Sequence, residues 1–257
     1  MTDAAVRPQH LDMRTSICTM LADAYQIAGE VMFDLNRHGD AEHCYAIAAS
    51  AAQQANAADL WACAMIRHSY VSVYGGQHAD AVPMLRLALR LARNGNSALS
   101  TRHWAADVLA QALAATGDAK GCDQALELAE KVHGMPRPHN GGWLRFDGSR
   151  LPEDRASCYL SQQRPDLAEP LLTRLLDRPQ PARRRGLTLI ALASAGAMQR
   201  DNTKTVTHGF AALDHARNTA SGVLVRQLTN LRPRLIPLRR DRYVKHLDSQ
   251  IAALARR

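Results

Sequence analysis

The chain has few aromatic residues, few lysines and no long apolar run. Phe, Trp and Tyr together make up 5% of it, and its 46% of apolar residues are mostly Ala and Leu. Because aromatic and β-branched residues lead in sheets, this composition favours closely packed helices. No apolar run approaches the roughly 20 residues of a membrane span. The first ten residues also lack the apolar core of a secretory signal, so we expect a soluble, cytoplasmic, all-α chain.

The five cysteines form neither an even set nor a CxxC pair. A disulfide framework is therefore disfavoured, and a reducing compartment fits. Two of them, Cys44 and Cys122, fall where the pattern of small residues predicts burial. A free thiol at such a position acts as a small apolar side chain.

The usual catalytic motifs are missing. We find no HExxH, no GxSxG and no GxxxxGK[ST] phosphate loop. His38, His43 and Cys44 could be read as metal ligands, but surface and packing roles explain them better. The carboxylates of Glu153 and Asp154 fit the start of a helix, where negative charge meets the helix dipole. We therefore predict a protein that is not an enzyme, with no catalytic residue, cofactor or metal.

Similar turns recur about every 40 residues. They are the segments 37–41, 75–79 and 116–119, and anchoring them on Gly39, Gly76 and Gly117 gives periods of 37 and 41. Such periods are typical of solenoids, because one helical hairpin cannot bury its apolar face without a neighbour.

Helical spacing of apolar residues divides the chain into pairs of helices. The first predicted helix runs from Met13 to Asn36, and Gly39 and Asp40 form the turn after it. Asp59 is expected to cap the third helix. We predict a tail (1–12) and a solenoid (13–257), which consists of three hairpins (13–133), an irregular connector (134–152), two hairpins (153–218) and C-terminal helices (219–257).

The hairpins resemble divergent tetratricopeptide repeats. The third hairpin carries the best match, with Leu109, Ala110, Leu113, Gly117, Cys122, Leu126 and Ala129 at the positions of that consensus. The spacing exceeds 34 residues, and the closing Pro of the consensus is missing. The resemblance implies a right-handed superhelix of about five hairpins, closed by C-terminal capping helices.

The run WLRFDGSRLPEDRASCYLSQQRPDLAEPLL and the later run SGVLVRQLTNLRPRL resemble a narrower group. They are similar to the tetratricopeptide-like C-terminal module of actinobacterial helix-turn-helix regulators of the XRE type. That resemblance implies ligand sensing in transcriptional regulation. The 12 residues before Met13 leave no room for the DNA-binding domain of that family. We therefore expect a fragment of a longer regulator, or a regulator without that domain, and DNA binding is not carried over.

The surface predicted to bind a ligand is a groove lined by the first helix of each hairpin. Tyr70 and Tyr74 are one turn apart, with Arg67 one turn earlier, so two phenols and a guanidinium could hold a peptide. The alternative is that these side chains pack between hairpins. The predicted groove residues are Glu30, Phe33, Arg37, Arg67, Tyr70, Tyr74, Trp104, Asp107, Gln111, Trp143, Arg145, Glu153 and Ser157.

Net charge leaves two further alternatives open. The chain carries a formal charge of +8, with dense arginine clusters at 183–185 and 239–242. We interpret these as solvated faces. The first alternative is a surface for an acidic protein or peptide partner, and direct nucleic-acid binding through Arg183, Arg184, Arg185, Arg239 and Arg240 is the less favoured one. Our leading hypothesis is a module that binds a peptide, a protein segment or a small signal molecule. The main alternative is a homodimerisation scaffold that uses the C-terminal helices.

Overall fold

The protein is all-helical wherever its structure is described. The computed structural model describes residues 11–136, 144, 146–219 and 221–256, and these contain twelve α-helices and no strand. They divide into two compact units, Met1–Leu151 and Pro152–Arg257. The all-α prediction is confirmed, and the division falls at the end of the predicted connector. No helix in the described ranges combines the length and the apolar character needed to cross a bilayer.

The N-terminal unit contains three helical hairpins. Its helices are α1 (Leu11–Asp34), α2 (His38–Gln54), α3 (Ala58–Tyr74), α4 (His78–Arg93), α5 (Thr101–Ala115) and α6 (Ala119–Glu130), followed by a 3-10 turn (Lys131–Gly134). Each helix packs on the next, and α3 also contacts both α1 and α5. The first helices of the three hairpins are therefore neighbours, and side chains on them can meet across hairpins.

The C-terminal unit contains two further hairpins and two closing helices. Its helices are α7 (Leu151–Ser161), α8 (Pro165–Leu176), α9 (Ala182–Met198), α10 (Asn202–Thr219), α11 (Gly222–Leu235) and α12 (Arg242–Leu254), with a 3-10 turn at Ile236–Leu238. Apolar side chains of α9 to α12 form one core cluster, and those of α7, α8 and α9 form another. Both α11 and α12 therefore use their apolar faces inside this unit.

The same backbone turn ends the first helix of all five hairpins. Its central residue takes a positive φ, at Asn36 (58°), Gly76 (83°), Gly117 (85°), Gln163 (60°) and Arg200 (58°). In each case the following backbone N–H donates to a carbonyl five residues earlier, as Arg37 does to Met32 at 2.9 Å. This left-handed cap satisfies carbonyl groups at the helix end. The first helices of the hairpins thus end in the same cap at intervals of about 40 residues, and Asn56 (52°) ends α2 in the same way.

Three local predictions are wrong in detail. Gly39 is not the turn residue, because it lies in the first turn of α2 and Asn36 takes the left-handed position. Asp59 does not cap α3; its Oδ2 accepts from the Asn96 backbone N–H at 2.7 Å. Cys44 is only half-buried, whereas its neighbour Tyr45 is buried at 3% exposure.

Candidate functional site

A buried arginine joins the first helices of the three N-terminal hairpins. From α3, Arg67 donates through Nε and Nη2 to Glu30 Oε1 at 2.9 and 2.7 Å, and through Nη1 to Gln26 Oε1 at 2.6 Å. Its guanidinium carbon lies 4.9 Å from the centroid of the Trp104 ring on α5. These contacts link α1, α3 and α5 through one side chain. We call Gln26, Glu30, Arg67 and Trp104 the arginine cluster.

Burial decides which members of the arginine cluster a ligand can reach. The side chain of Arg67 is 7% exposed, whereas that of Glu30 is 39% exposed and Trp104 is half-buried. The donors of Arg67 already serve Glu30 and Gln26, and the predicted contact of Arg67 with a peptide stays a prediction. Arg67 positions a carboxylate and an indole that water reaches.

Four rings meet beside the arginine cluster, where α1 ends and α3 ends. The centroid of Phe33 lies 5.1 Å from that of Tyr74, 6.0 Å from that of Tyr70 and 5.2 Å from that of His38. The two tyrosines are stacked with centroids 6.4 Å apart. All four side chains are half-buried. We call Phe33, His38, Tyr70 and Tyr74 the aromatic cluster.

The aromatic cluster lies between the first two hairpins, and contact of its rings with a ligand stays a prediction. Phe33 belongs to the first hairpin and the tyrosines to the second, so the rings do pack between hairpins. Edge-to-face pairs of this kind add stability beyond their buried area. The rings are only half-buried, so part of the ring surface stays accessible to another molecule. Sequence reasoning missed the contact of His38 with Phe33, because the two rings meet through the turn between α1 and α2.

The remaining predicted groove residues of this unit are not equally accessible. Asp107 on α5 is 3% exposed, whereas Gln111 one turn later is half-buried. Arg37 is exposed and pairs with Asp40 at 2.6 Å, three residues along the chain.

The thiol of Cys63 on α3 is buried, and burial raises its pKa to about 12. That thiol therefore stays protonated at neutral pH.

The two predicted groove residues of the C-terminal unit lie one turn apart on α7 and differ in exposure. Glu153 forms an ion pair with Arg184 and is largely buried. Ser157 is exposed and lines a small cavity of about 180 Å³ between α7, α9 and α11. Sequence reasoning missed the polar lining that faces it, which includes Ser194, Gln227 and Asn230. Trp143 and Arg145, the other two predicted residues, lie outside the described residues.

A larger open cavity, of about 730 Å³, lies in the N-terminal unit at the start of α5 and the end of α6. His103 lines it and is 2% exposed. Its Nδ1 lies 2.8 Å from the carbonyl oxygen of Leu128, and its Nε2 lies 3.2 Å from Nε of Arg102. Both contacts are satisfied when Nδ1 carries the proton and Nε2 accepts. Burial lowers the pKa of His103, which favours this neutral form.

The arginine clusters proposed for nucleic acid are partly engaged within the C-terminal unit. Arg184 pairs with Glu153, and Arg239 pairs with Asp248 at 2.6 Å. Arg185 donates to the carbonyl of Leu176 at 2.9 Å. Arg183 and Arg240 are exposed. Binding of nucleic acid through these residues stays a prediction.

The described residues contain no group of three His, Cys, Asp or Glu side chains placed to hold a metal ion. The two clusters present half-buried rings beside the Glu30 carboxylate. Comparison with models of known protein families and with curated proteins gave no match for this chain. The family resemblance therefore stays a proposal.

Proposed function

We propose that this chain is a non-enzymatic, cytoplasmic binding module that recognises a peptide or protein segment in transcriptional regulation. Its hairpins form a divergent tetratricopeptide-like superhelix in this proposal. The observation that carries it is the row of half-buried, solvent-accessible side chains on α1, α3 and α5. Those side chains are Glu30, Phe33, Tyr70, Tyr74 and Trp104.

The burial of Arg67 narrows the ligand that this face would take. With the guanidinium engaged, the ionisable group that the arginine cluster offers to solvent is the Glu30 carboxylate. Asp34, one turn along α1, is exposed on the same helix. Carboxylates beside aromatic rings suit a segment that carries a Lys or Arg next to an apolar side chain. We therefore propose a basic, partly apolar peptide rather than an acidic one.

Selection from a random-peptide phage library would test this proposal. The probe is each selected peptide, labelled and titrated into the purified chain by fluorescence anisotropy. Removal of one phenol at the centre of the cluster by Tyr74→Ala should weaken binding about 10-fold, which equals about 1.4 kcal/mol. The matched control is Tyr243→Ala, which removes an exposed tyrosine of the C-terminal unit and should leave the affinity unchanged.

Two outcomes would count against the proposal. Selected peptides that are mainly acidic would contradict the assignment of Glu30 as the charged contact. Equal affinity for the Tyr74→Ala and wild-type chains would remove the aromatic cluster from the binding site. Circular dichroism of each variant would show whether a loss of affinity reflects a loss of helix.

A further inference from the structure

Helix α1 has two apolar faces. One of these faces has no partner within the described residues. The inner face packs on α2 and α3 through buried residues that include Cys18, Leu21 and Ala22. The other face consists of Met13, Ile17, Met20, Ala24, Ile27, Val31 and, just after the helix, Leu35. We call these seven residues the outer stripe. All are exposed except Ile17, which is half-buried.

This concentration of exposed apolar side chains stands out within the described part of the chain. Eight large apolar side chains are exposed there, and six of them lie on α1 or in its closing turn. At about 100° per residue, the seven stripe positions fall within an arc of about 80°. The stripe is about 33 Å long and carries no charged residue. An uncharged patch of this length favours contact with another apolar surface.

The order of residues along the stripe indicates what that surface is. Ala24, the smallest member, lies at the midpoint, with Met13 and Leu35 each eleven residues away. Ile17 and Val31 are each seven residues away, and Met20 and Ile27 are four and three residues away. The stripe therefore has nearly the same profile when read in either direction. A surface of this kind is complementary to itself when one copy is turned antiparallel to the other.

We propose that the outer stripe is a homodimer interface in which two copies of α1 cross antiparallel at Ala24. The small residue lets the helices approach closely at the twofold axis. On each side of this axis, Met20 of one copy faces Ile27 of the other, and Ile17 of one copy faces Val31 of the other. This replaces the C-terminal helices as the dimer interface, because α11 and α12 bury their apolar faces inside their own unit.

Sedimentation equilibrium of the full chain over a range of concentrations tests the proposal. The wild-type chain should be a dimer, and Ile27→Glu should weaken dimerisation about 100-fold or more, because each dimer would bury two unpaired charges. The position is half-exposed in one copy, so the fold should survive the change. Thr15→Glu is the matched control, since it places the same charge at an exposed position of α1 outside the stripe.

Cross-linking tests the antiparallel geometry independently, in a Cys44→Ser background that removes the half-buried thiol. Ala24→Cys should give an oxidised dimer, because the two thiols would meet at the crossing point. Met13→Cys should not, because its two copies would lie about 33 Å apart at opposite ends of the interface. A chain that stays monomeric, a dimer that tolerates Ile27→Glu, or equal cross-linking through both cysteines would overturn the proposal.

Discussion

Arg67 joins α3 to α1 through hydrogen bonds, so its contribution should be measurable as stability. It is the donor for the buried Gln26 and for Glu30, so replacing it leaves both acceptors without that partner. We expect Arg67→Met to lower the free energy of unfolding by about 2 kcal/mol, since Glu30 can regain water but Gln26 cannot. Urea unfolding monitored by circular dichroism would measure this change.

Arg37→Met is the control for that measurement. Arg37 also pairs with a carboxylate, but both Arg37 and Asp40 are more than half exposed. An exposed pair of this kind contributes less than about 1 kcal/mol. Equal losses for the two variants would mean that burial does not set the contribution of Arg67.

The buried His103 makes stability depend on pH. Its pKa in the folded chain is lowered from 6.5, mainly by burial. Between the pKa of the folded chain and that of the unfolded chain, the unfolded chain therefore binds more protons. The free energy of unfolding should therefore fall as the pH is lowered from about 7.5 to about 5.5. In His103→Asn, the amide can still donate to Leu128 but cannot titrate, so the fall should be smaller.

Urea denaturation curves at the two ends of this pH range would measure the fall for the wild-type chain and for His103→Asn. The same curves for His43→Asn provide the comparison, because His43 is exposed on α2. His68 and His78 are also partly buried with a lowered pKa, so the His103 variant should keep part of the pH dependence. A His103→Asn curve as steep as that of the wild type would rule out the contribution of His103.

Local patterns predicted which residues share a helix, but not which of two neighbours is buried. The small-residue stripe predicted Cys44 as the inner position, whereas Tyr45 occupies it. The reason lies in another helix: Gly29 on α1 leaves the space that the Tyr45 ring fills. The contacts of Arg67 likewise join residues 37 and 41 positions apart. Sequence periodicity relates such positions in neighbouring hairpins, but it does not show which side chains bond to each other.

At the scale of the elements, the close approach of α1 and α2 at Gly29 can be tested directly. A Cβ added to Gly29 would overlap the Tyr45 ring, which is buried and cannot move away freely. We expect Gly29→Ala to lower the thermal midpoint and to cost about 1 to 3 kcal/mol of stability despite the better helix propensity of Ala. Differential scanning calorimetry would measure both.

Gly39→Ala supplies the matched control on the partner helix. A Cβ on Gly39 would meet nothing within 4 Å, so only helix propensity should change. The expected result is a small gain, below about 1 kcal/mol. A loss at Gly39 as large as that at Gly29 would show that the glycine contact with Tyr45 is not the cause.

Helix ends were predicted to within a few residues because turn chemistry is local. Gly76 and Gly117 take the left-handed backbone that glycine tolerates best, so their turns were visible in the sequence. Asn36, Gln163 and Arg200 take the same conformation without being glycine. Anchoring the first repeat on Gly39 therefore gave a period of 37 where the structural repeat, from Asn36 to Gly76, is 40. The sequence pattern predicted the fold class, whereas the exact length of the repeat is visible only in the structure.

At the scale of the whole molecule, each unit has its own apolar core. In the N-terminal unit Leu85 and Leu126 are fully buried, and in the C-terminal unit Leu213 and Leu228 are. Since a domain is a segment with its own core, each unit should fold without the other. We expect the pieces 1–151 and 149–257, which both keep Leu151, to give helical circular dichroism spectra and cooperative thermal unfolding.

A substitution in each core would show whether the same independence holds in the intact chain. Leu85→Ala should lower the thermal midpoint of piece 1–151 and of the matching transition in the full chain, at a cost of about 2 to 5 kcal/mol. Leu228→Ala should act in the same way on piece 149–257. If either piece lacks a cooperative transition while the intact chain unfolds in one step, the two cores depend on each other, and the repeats must be treated as one continuous array.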